Sequence, residues 1–285
     1  MMPSQTDLPR FISQCRAVNW EACAPRRLLD THAWQEDWQD TLATLETFVE
    51  EGCYGQSLEG MDEYELEDAC IQWEHAAHLA STLLRQMVDR GLPPDDLSSF
   101  YRDVLSVWHD LALALKRACH AGMLPSPQVL RPDTQDYPYA LQLLALGVLL
   151  DAQDEIPGIV EHLLLFQTDR LLDYLSAAAT GIQEASEATF HPNPFGGLTP
   201  FFEQYGQVSP EPLAPYLEQH YSQYFALPPR QQKKQGRLTG PQAWGWWALE
   251  VAALVVLYEL NDGQLRHNPH YPTDLADFAA RRYRS

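Results

Sequence analysis

The chain has 285 residues, enough to bury a sizeable core without disulfide or metal staples. Hydrophobic residues make up 45% and aromatic residues 11%, which excludes an intrinsically disordered chain. Its 39 acidic side chains against 19 Lys and Arg leave a formal charge of −20, a field that repels nucleic acid and anionic lipid and attracts basic partners.

Helical periodicity recurs along the chain and strand alternation does not, so the expected fold is all-α: an irregular multi-helix bundle with short connections. Residues 31–49 follow Asp30, an N-cap residue type, and place Trp34, Trp38, Leu42, Leu45 and Val49 on one face, with Gly52 as the stop. Residues 62–90 carry the stripe Leu66, Ala69, Cys70, Trp73, Ala77, Ala80 and Leu84, and Gly91 supplies a C-cap. After Pro93 and Pro94 a third helix is predicted to about His120 through Phe100, Val104, Val107, Trp108, Leu111 and Leu115. Long helices with such short links read as antiparallel neighbours.

Pro125, Pro127, Pro132 and, just beyond, Pro138 mark a connection, which puts a boundary between an acidic N-terminal region, 1–125, and a C-terminal region, 126–285. Residues 139–150 are apolar almost all round and are expected at the centre of a core. Pro157 suits a first helical position, and residues 159–179 read as one amphipathic helix ending at Gly181. Residues 190–215 read as loop, 213–225 as helix, and 227–240 as a polar, basic connection. A long helix over about 242–260 and a short one over 273–283 close the chain. The apolar stretch 243–258 is too short to span a bilayer and carries Glu250 near its middle, so it reads as a core helix whose glutamate needs a partner; Arg266 and Arg237 are the candidates.

Charge is unevenly distributed. Between Leu28 and Leu84 there is no Lys or Arg, and the same stretch holds 14 acids. Basic residues gather instead at Arg230, Lys233, Lys234 and Arg237, and at Arg281, Arg282 and Arg284. A single-sign field of this extent exceeds what solubility requires and points to a basic partner. The candidate partner-binding residues are therefore Glu59, Asp62, Glu63, Glu67, Asp68 and Glu74. The five cysteines are odd in number, widely spaced and without a C-x-x-C pair, which fits reduced thiols in a cytoplasm. The N-terminus has no basic and apolar signal-peptide pattern, and a membrane location is not expected.

Chemistry-bearing motifs are sparse. His75 and His78 stand at i and i+3 beside Glu74, but neither H-E-x-x-H nor a repeated E-x-x-H accompanies them. His267, Asn268 and His270 match a nuclease triplet in letters only, because the strand–strand–helix context is missing. His191, Asn193 and the Gly196-Gly197 pair are accounted for equally well by turn chemistry or by a pocket. No G-x-S-x-G and no phosphate-binding Gly-rich loop is present. The expectation is a non-enzyme with no cofactor and no metal.

The segment 240–279 holds the most specific text: Gly-Pro-Gln-Ala-Trp-Gly-Trp-Trp-Ala-Leu-Glu, then Leu-Tyr-Glu-Leu-Asn-Asp, then Tyr-Pro-Thr-Asp-Leu-Ala-Asp-Phe. It resembles the C-terminal domain of the PoNi-type immunity proteins of bacterial polymorphic and type VI secreted toxins. The family pattern is an aromatic-Gly-aromatic-Trp-x-Glu helix, an aspartate turn and a closing Tyr-Pro-x-Asp-Leu. Its matches here are Gly245, Trp246, Trp247, Glu250, Asp262, Tyr271, Pro272, Asp274 and Leu275, with one departure, Asn261, where a paired aspartate is expected. The resemblance implies structural roles for these residues: buried tryptophans, a satisfied glutamate and a capping aspartate.

It also implies an antitoxin that binds and neutralises a cognate secreted toxin, a DNase in the family's named case. An acidic surface covering a basic DNA-binding face agrees with the charge read independently. The expected partner is thus a toxin with a basic surface, with no direct nucleic-acid binding; a homodimer through the Trp-rich C-terminal half stays open. The alternatives are a helical scaffold or adaptor and a metal-dependent helical hydrolase using His75 and His78.

Overall fold

Side-chain caps and glycine stops divide the chain into helices, and the computed structural model describes residues 6–27, 30–134, 136–204, 208–223 and 246–283. Every regular element among them is helical, so the fold is all-α. The chain forms two compact units, Met1–Val129 and Leu130–Ser285.

In the first unit, α1 (Leu8–Ala17) starts where the Asp7 carboxylate accepts the Arg10 N–H, and it buries Leu8, Phe11, Ile12 and Cys15. α2 (Thr31–Glu51) starts where Asp30 Oδ1 accepts from the His32 and Ala33 amides. Its Trp34 and Trp38 stack at 5.5 Å, and Trp20 meets both edge-on at 4.9 Å. α3 (Glu63–Arg90) opens with a reciprocal capping box, in which Glu65 N–H donates to Asp62 Oδ1 and Asp62 N–H to Glu65 Oε2, each at 2.9 Å.

The α3 helix ends at Gly91 with φ +85°, and α4 (Pro94–His120) runs back along it. The pair is keyed by Trp108, whose indole N–H donates to Ser81 Oγ at 2.9 Å. Trp34 and Trp108, both fully buried, each remove roughly 150–250 Å² from water, on the order of 4–6 kcal/mol before ordering entropy is set against it. The segment before α2 is tied to the end of α3: Arg26 donates to the Val88 and Leu92 carbonyls at 2.8 Å, and Arg27 pairs with Asp89 in a buried contact of 3.5 Å. The element α1 has no counterpart among the helices expected from sequence, although Leu8, Phe11, Ile12 and Cys15 have helical spacing.

In the second unit, α5 (Tyr137–Leu149) and α8 (Leu249–Leu257) pack together as the centre, and both are apolar around almost their whole circumference. α6 (Arg170–Thr180) and α9 (Thr273–Tyr283) pack against this pair, and α7 (Leu213–Gln223) follows a run of short turns.

Three expectations are corrected here. The single helix over 159–179 is broken: a π-turn, Ile159–Leu163, runs into Leu165 and Phe166 at φ +49° and +61°, and α6 starts afresh after Asp169. The buried Asp169 carboxylate sets that start, accepting the Leu172 and Phe190 amides and the Tyr137 hydroxyl. Residues 190–215 are not a plain loop, because Pro192–Phe195, Gly196–Leu198 and Thr199–Phe202 form successive short turns that bury Phe195, Leu198, Phe201 and Phe202. The last apolar helix begins at Leu249 rather than near residue 242: Ala248 N–H donates to the His270 carbonyl at 2.9 Å, which takes its backbone out of the helix. Residues 242–245 lie outside the described residues.

Candidate functional site

The acidic residues singled out by sequence share one region of the first unit. Glu59 lies in the turn before α3, Asp62 is that helix's N-cap, and Glu63, Glu67, Asp68 and Glu74 stand along α3 itself; all six are exposed. Their surroundings differ. Asp62 is engaged in the capping box, so its charge also holds the helix start. Asp68 Oδ2 accepts from Gln72 Nε2 at 2.5 Å, and Gln72 Oε1 in turn accepts the Cys53 amide at 2.8 Å. Glu63, Glu67 and Glu74 point away from the buried stripe of Leu66, Ala69, Cys70 and Trp73. A set of carboxylates on a well-capped helix, kept from core duty, presents negative potential to a partner without rearrangement.

His75 is exposed on the same helix, whereas His78 packs its ring against Trp108 at 5.6 Å. Among the described residues no group of three or more His, Cys, Asp or Glu side chains is placed to hold a metal ion. All five cysteines are free. Burial pushes the Cys53 and Cys70 thiols up to about 11, far from a reactive thiolate.

The aromatic and acidic residues of the C-terminal motif form a second, internal constellation. Trp247 is buried and Trp246 half-buried, its ring 4.8 Å from His270. His270 Nδ1 lies 2.8 Å from the Trp246 carbonyl, so the histidine bridges the segment before α8 and the loop before α9. Asn268 Oδ1 accepts the His270 amide at 2.9 Å, and its Nδ2 donates to the Leu217 carbonyl at 3.3 Å. The His267–His270 letters therefore build a turn, with His267 exposed.

Glu250 is 1% exposed and accepts a 2.6 Å hydrogen bond from the Tyr216 hydroxyl. Of the two candidate arginines, Arg266 instead reaches Asp262 at 2.7 Å and Asp277 at 2.6 Å, and Arg237 lies outside the described residues. Desolvation raises the Glu250 carboxyl to about 7, partly opposed by the Tyr216 bond. Asp262 is not a helix cap. Its two oxygens receive Arg266 Nε and the Tyr271 hydroxyl, closing the loop between α8 and α9 from the inside. Tyr271, Pro272 and Leu275 are buried, whereas Asp274 is exposed in the first turn of α9, where a carboxylate suits the helix dipole.

Asn261, the departure from the expected aspartate pair, accepts the Gly263 amide at 3.0 Å in an Asx turn. Gly245, Trp244 and the basic residues Arg230, Lys233, Lys234 and Arg284 lie outside the described residues; Arg281 and Arg282 are exposed in the last turn of α9. Tyr216 and Asp277 belong to no motif of the sequence, and His270 enters there only as a letter of the nuclease-like triplet. Tyr216 sits 34 residues from Glu250, and only the hydrogen bond in the folded unit reveals the pair.

Comparison with known proteins places both units. Residues 167–275 match the family described as PoNe immunity proteins (PoNi), C-terminal, and residues 5–123 match one described as PA2201 N-terminal domain-like. No curated protein matches the chain. Among solved structures, the crystal structure of protein PA2201 from Pseudomonas aeruginosa is 46% identical, covers 96% of each chain and superimposes with a TM-score of 0.83.

Proposed function

This chain belongs to the PoNe immunity protein (PoNi) family, and from that premise we propose that it is an antitoxin that neutralises a cognate secreted nuclease by stoichiometric binding. The match of residues 167–275 to the PoNi C-terminal family is the observation that carries this reading. In it, the protein acts in the cytoplasm of the cell that makes the toxin, and it acts as a binder rather than a catalyst. The motif residues of the second unit serve the scaffold: Glu250 and Asp262 are buried and engaged within their own unit.

The acidic first unit supplies the inhibitory surface. A DNase must present a cationic face to phosphates, and Glu59, Asp62, Glu63, Glu67, Asp68 and Glu74 offer the charge that competes for it. Long-range attraction speeds the encounter, and tight residence comes from a few central contacts.

The test is co-purification of this chain with the product of the neighbouring gene, followed by DNA cleavage with and without it. A tight complex that abolishes cleavage supports the proposal. A complex whose partner has no nuclease activity keeps the antitoxin and discards the DNase, and no complex discards both. Reversing Glu63, Glu67 and Asp68 to lysine is expected to slow association and flatten its salt dependence; unchanged kinetics would remove the acidic-face mechanism.

A further inference from the structure

The exposed side of α3 carries two large apolar side chains amid its carboxylates: Tyr64 is 84% exposed and Ile71 58%. On a helix of 3.6 residues per turn, Tyr64, Asp68, Ile71 and His75 fall in one line, at i, i+4, i+7 and i+11. That line runs for about 16 Å, at ~1.5 Å per residue, on the side away from the buried stripe. Beside it lies an open groove of about 720 Å³ between α2 and α3, lined among others by Asp40, Thr44, Thr47, Glu51, Gln72 and His75. His75 belongs to both line and groove, so the two surfaces are continuous.

The hydroxyls on the α2 wall of the groove are already satisfied within that helix. Thr44 and Thr47 spend their hydroxyl protons on the Asp40 and Ala43 carbonyls, at 2.8 and 3.0 Å. Ala43 and Phe48 offer a visitor apolar wall, with His75 on α3 and with Asp40 and Glu51 some three turns apart along α2.

We infer that this groove, with Tyr64 and Ile71 as its apolar shoulder, seats a Lys- or Arg-bearing segment of the cognate toxin. The inference rests on the antitoxin reading and narrows it to a place and to two anchor residues. Charge complementarity selects the occupant. No Lys or Arg occurs between residues 28 and 84, so a cation laid along the groove meets carboxylates of one sign. Nucleic acid, anionic lipid and a second copy presenting this same face all meet like charge there. The division of labour follows: Asp40, Glu51 and the α3 acids steer the partner in, and the exposed aromatic and aliphatic pair, buried on docking, holds it.

The experiment is surface-plasmon binding of the full chain to the toxin domain encoded beside it, inactivated at its nuclease centre, joined to hydrogen–deuterium exchange on the wild-type complex. Y64A and I71A are each expected to weaken the equilibrium constant by about 30-fold or more, mainly through faster dissociation. The pair D40K and E51K is expected to lower the association rate and its salt dependence, and L165A with F166A, an exposed apolar pair in the other unit, to leave binding unchanged. Protection in the complex is expected over residues 40–51 and 64–75, a readout that needs no variant to fold. Wild-type binding that persists in Y64A and I71A, lacks that protection, or fails in L165A with F166A overturns this inference alone. Absence of any wild-type binding overturns the antitoxin reading on which it stands.

Discussion

The Tyr216 hydroxyl donates to Glu250 Oε1 at 2.6 Å, and that carboxyl is 1% exposed on a helix otherwise composed of Leu, Val and Ala. Burial raises the carboxyl from 4.5 to about 7, so folding favours its protonated form. A carboxyl raised on folding contributes stability that is full below its unfolded pKa and lost as pH climbs through the folded one. The window here is from about pH 4.5 to 7, and the loss is on the order of 3 kcal/mol across it. Glu250→Gln keeps the shape and an acceptor for Tyr216 but does not titrate. Urea unfolding at pH 5 and pH 8 is expected to show a smaller pH difference for the variant than for the wild type. An equal difference would place the linkage on other groups.

Gly91 separates a cap from a close approach. Its φ of +85° favours glycine, and a Cβ there would lie 1.8 Å from the Ala24 carbonyl oxygen. Gly122 ends α4 with φ +79° and meets nothing within 4 Å. Gly122→Ala is expected to cost about 1 kcal/mol, the left-handed penalty alone. Gly91→Ala must also push the 24–27 segment off the end of α3, and about 3 kcal/mol or more is expected. Thermal unfolding of the two variants side by side measures the difference.

These glycine stops also explain which parts of the fold were readable in sequence. Asp30, Asp62 and Gly91 act within one turn of their own helices, so the helices over 31–51, 63–90 and 94–120 and the short closing helix 273–283 follow from local text. The break at Leu165 and Phe166 has no such signature, because neither is the Gly or Asn that a left-handed residue usually is. The start of α8 is set by His270, from beyond the helix's other end. At the candidate surface, the run of acids was legible but the state of each was not. Asp62 and Asp68 turn out to be engaged locally, and Tyr64 and Ile71 stand out as exposed only once the buried face of α3 is known.

Asp262 and Asp277 share Arg266 and differ in burial. Asp262 is nearly buried and also accepts the Tyr271 hydroxyl at 2.9 Å, whereas Asp277 is a half-exposed rim partner. Asp277→Ala removes a screened pair and is expected to cost under about 1 kcal/mol. Asp262→Ala takes the acceptor from a buried tyrosine as well, and about 2–3 kcal/mol is expected. Added salt is expected to narrow the first effect and leave most of the second, which denaturant titrations at low and high ionic strength can read. Equal costs would mean that the loop between α8 and α9 is held by apolar packing rather than by this latch.

Phe166 is the exposed end of the strained turn, 68% exposed at φ +61°, with its amide donating to the Val160 carbonyl at 2.9 Å. A bulky residue in this region costs on the order of 1–2 kcal/mol, and little burial is available to offset it. Phe166→Gly keeps the amide donor and removes the clash of Cβ with the backbone, at the expense of greater freedom in the unfolded chain. The clash is the larger quantity, so a net gain of about 0.5–1 kcal/mol is expected in the unfolding free energy. Phe166→Val, β-branched and still left-handed, is expected to shift stability the opposite way. If both substitutions destabilise equally, the ring itself stabilises the turn and the strain argument fails.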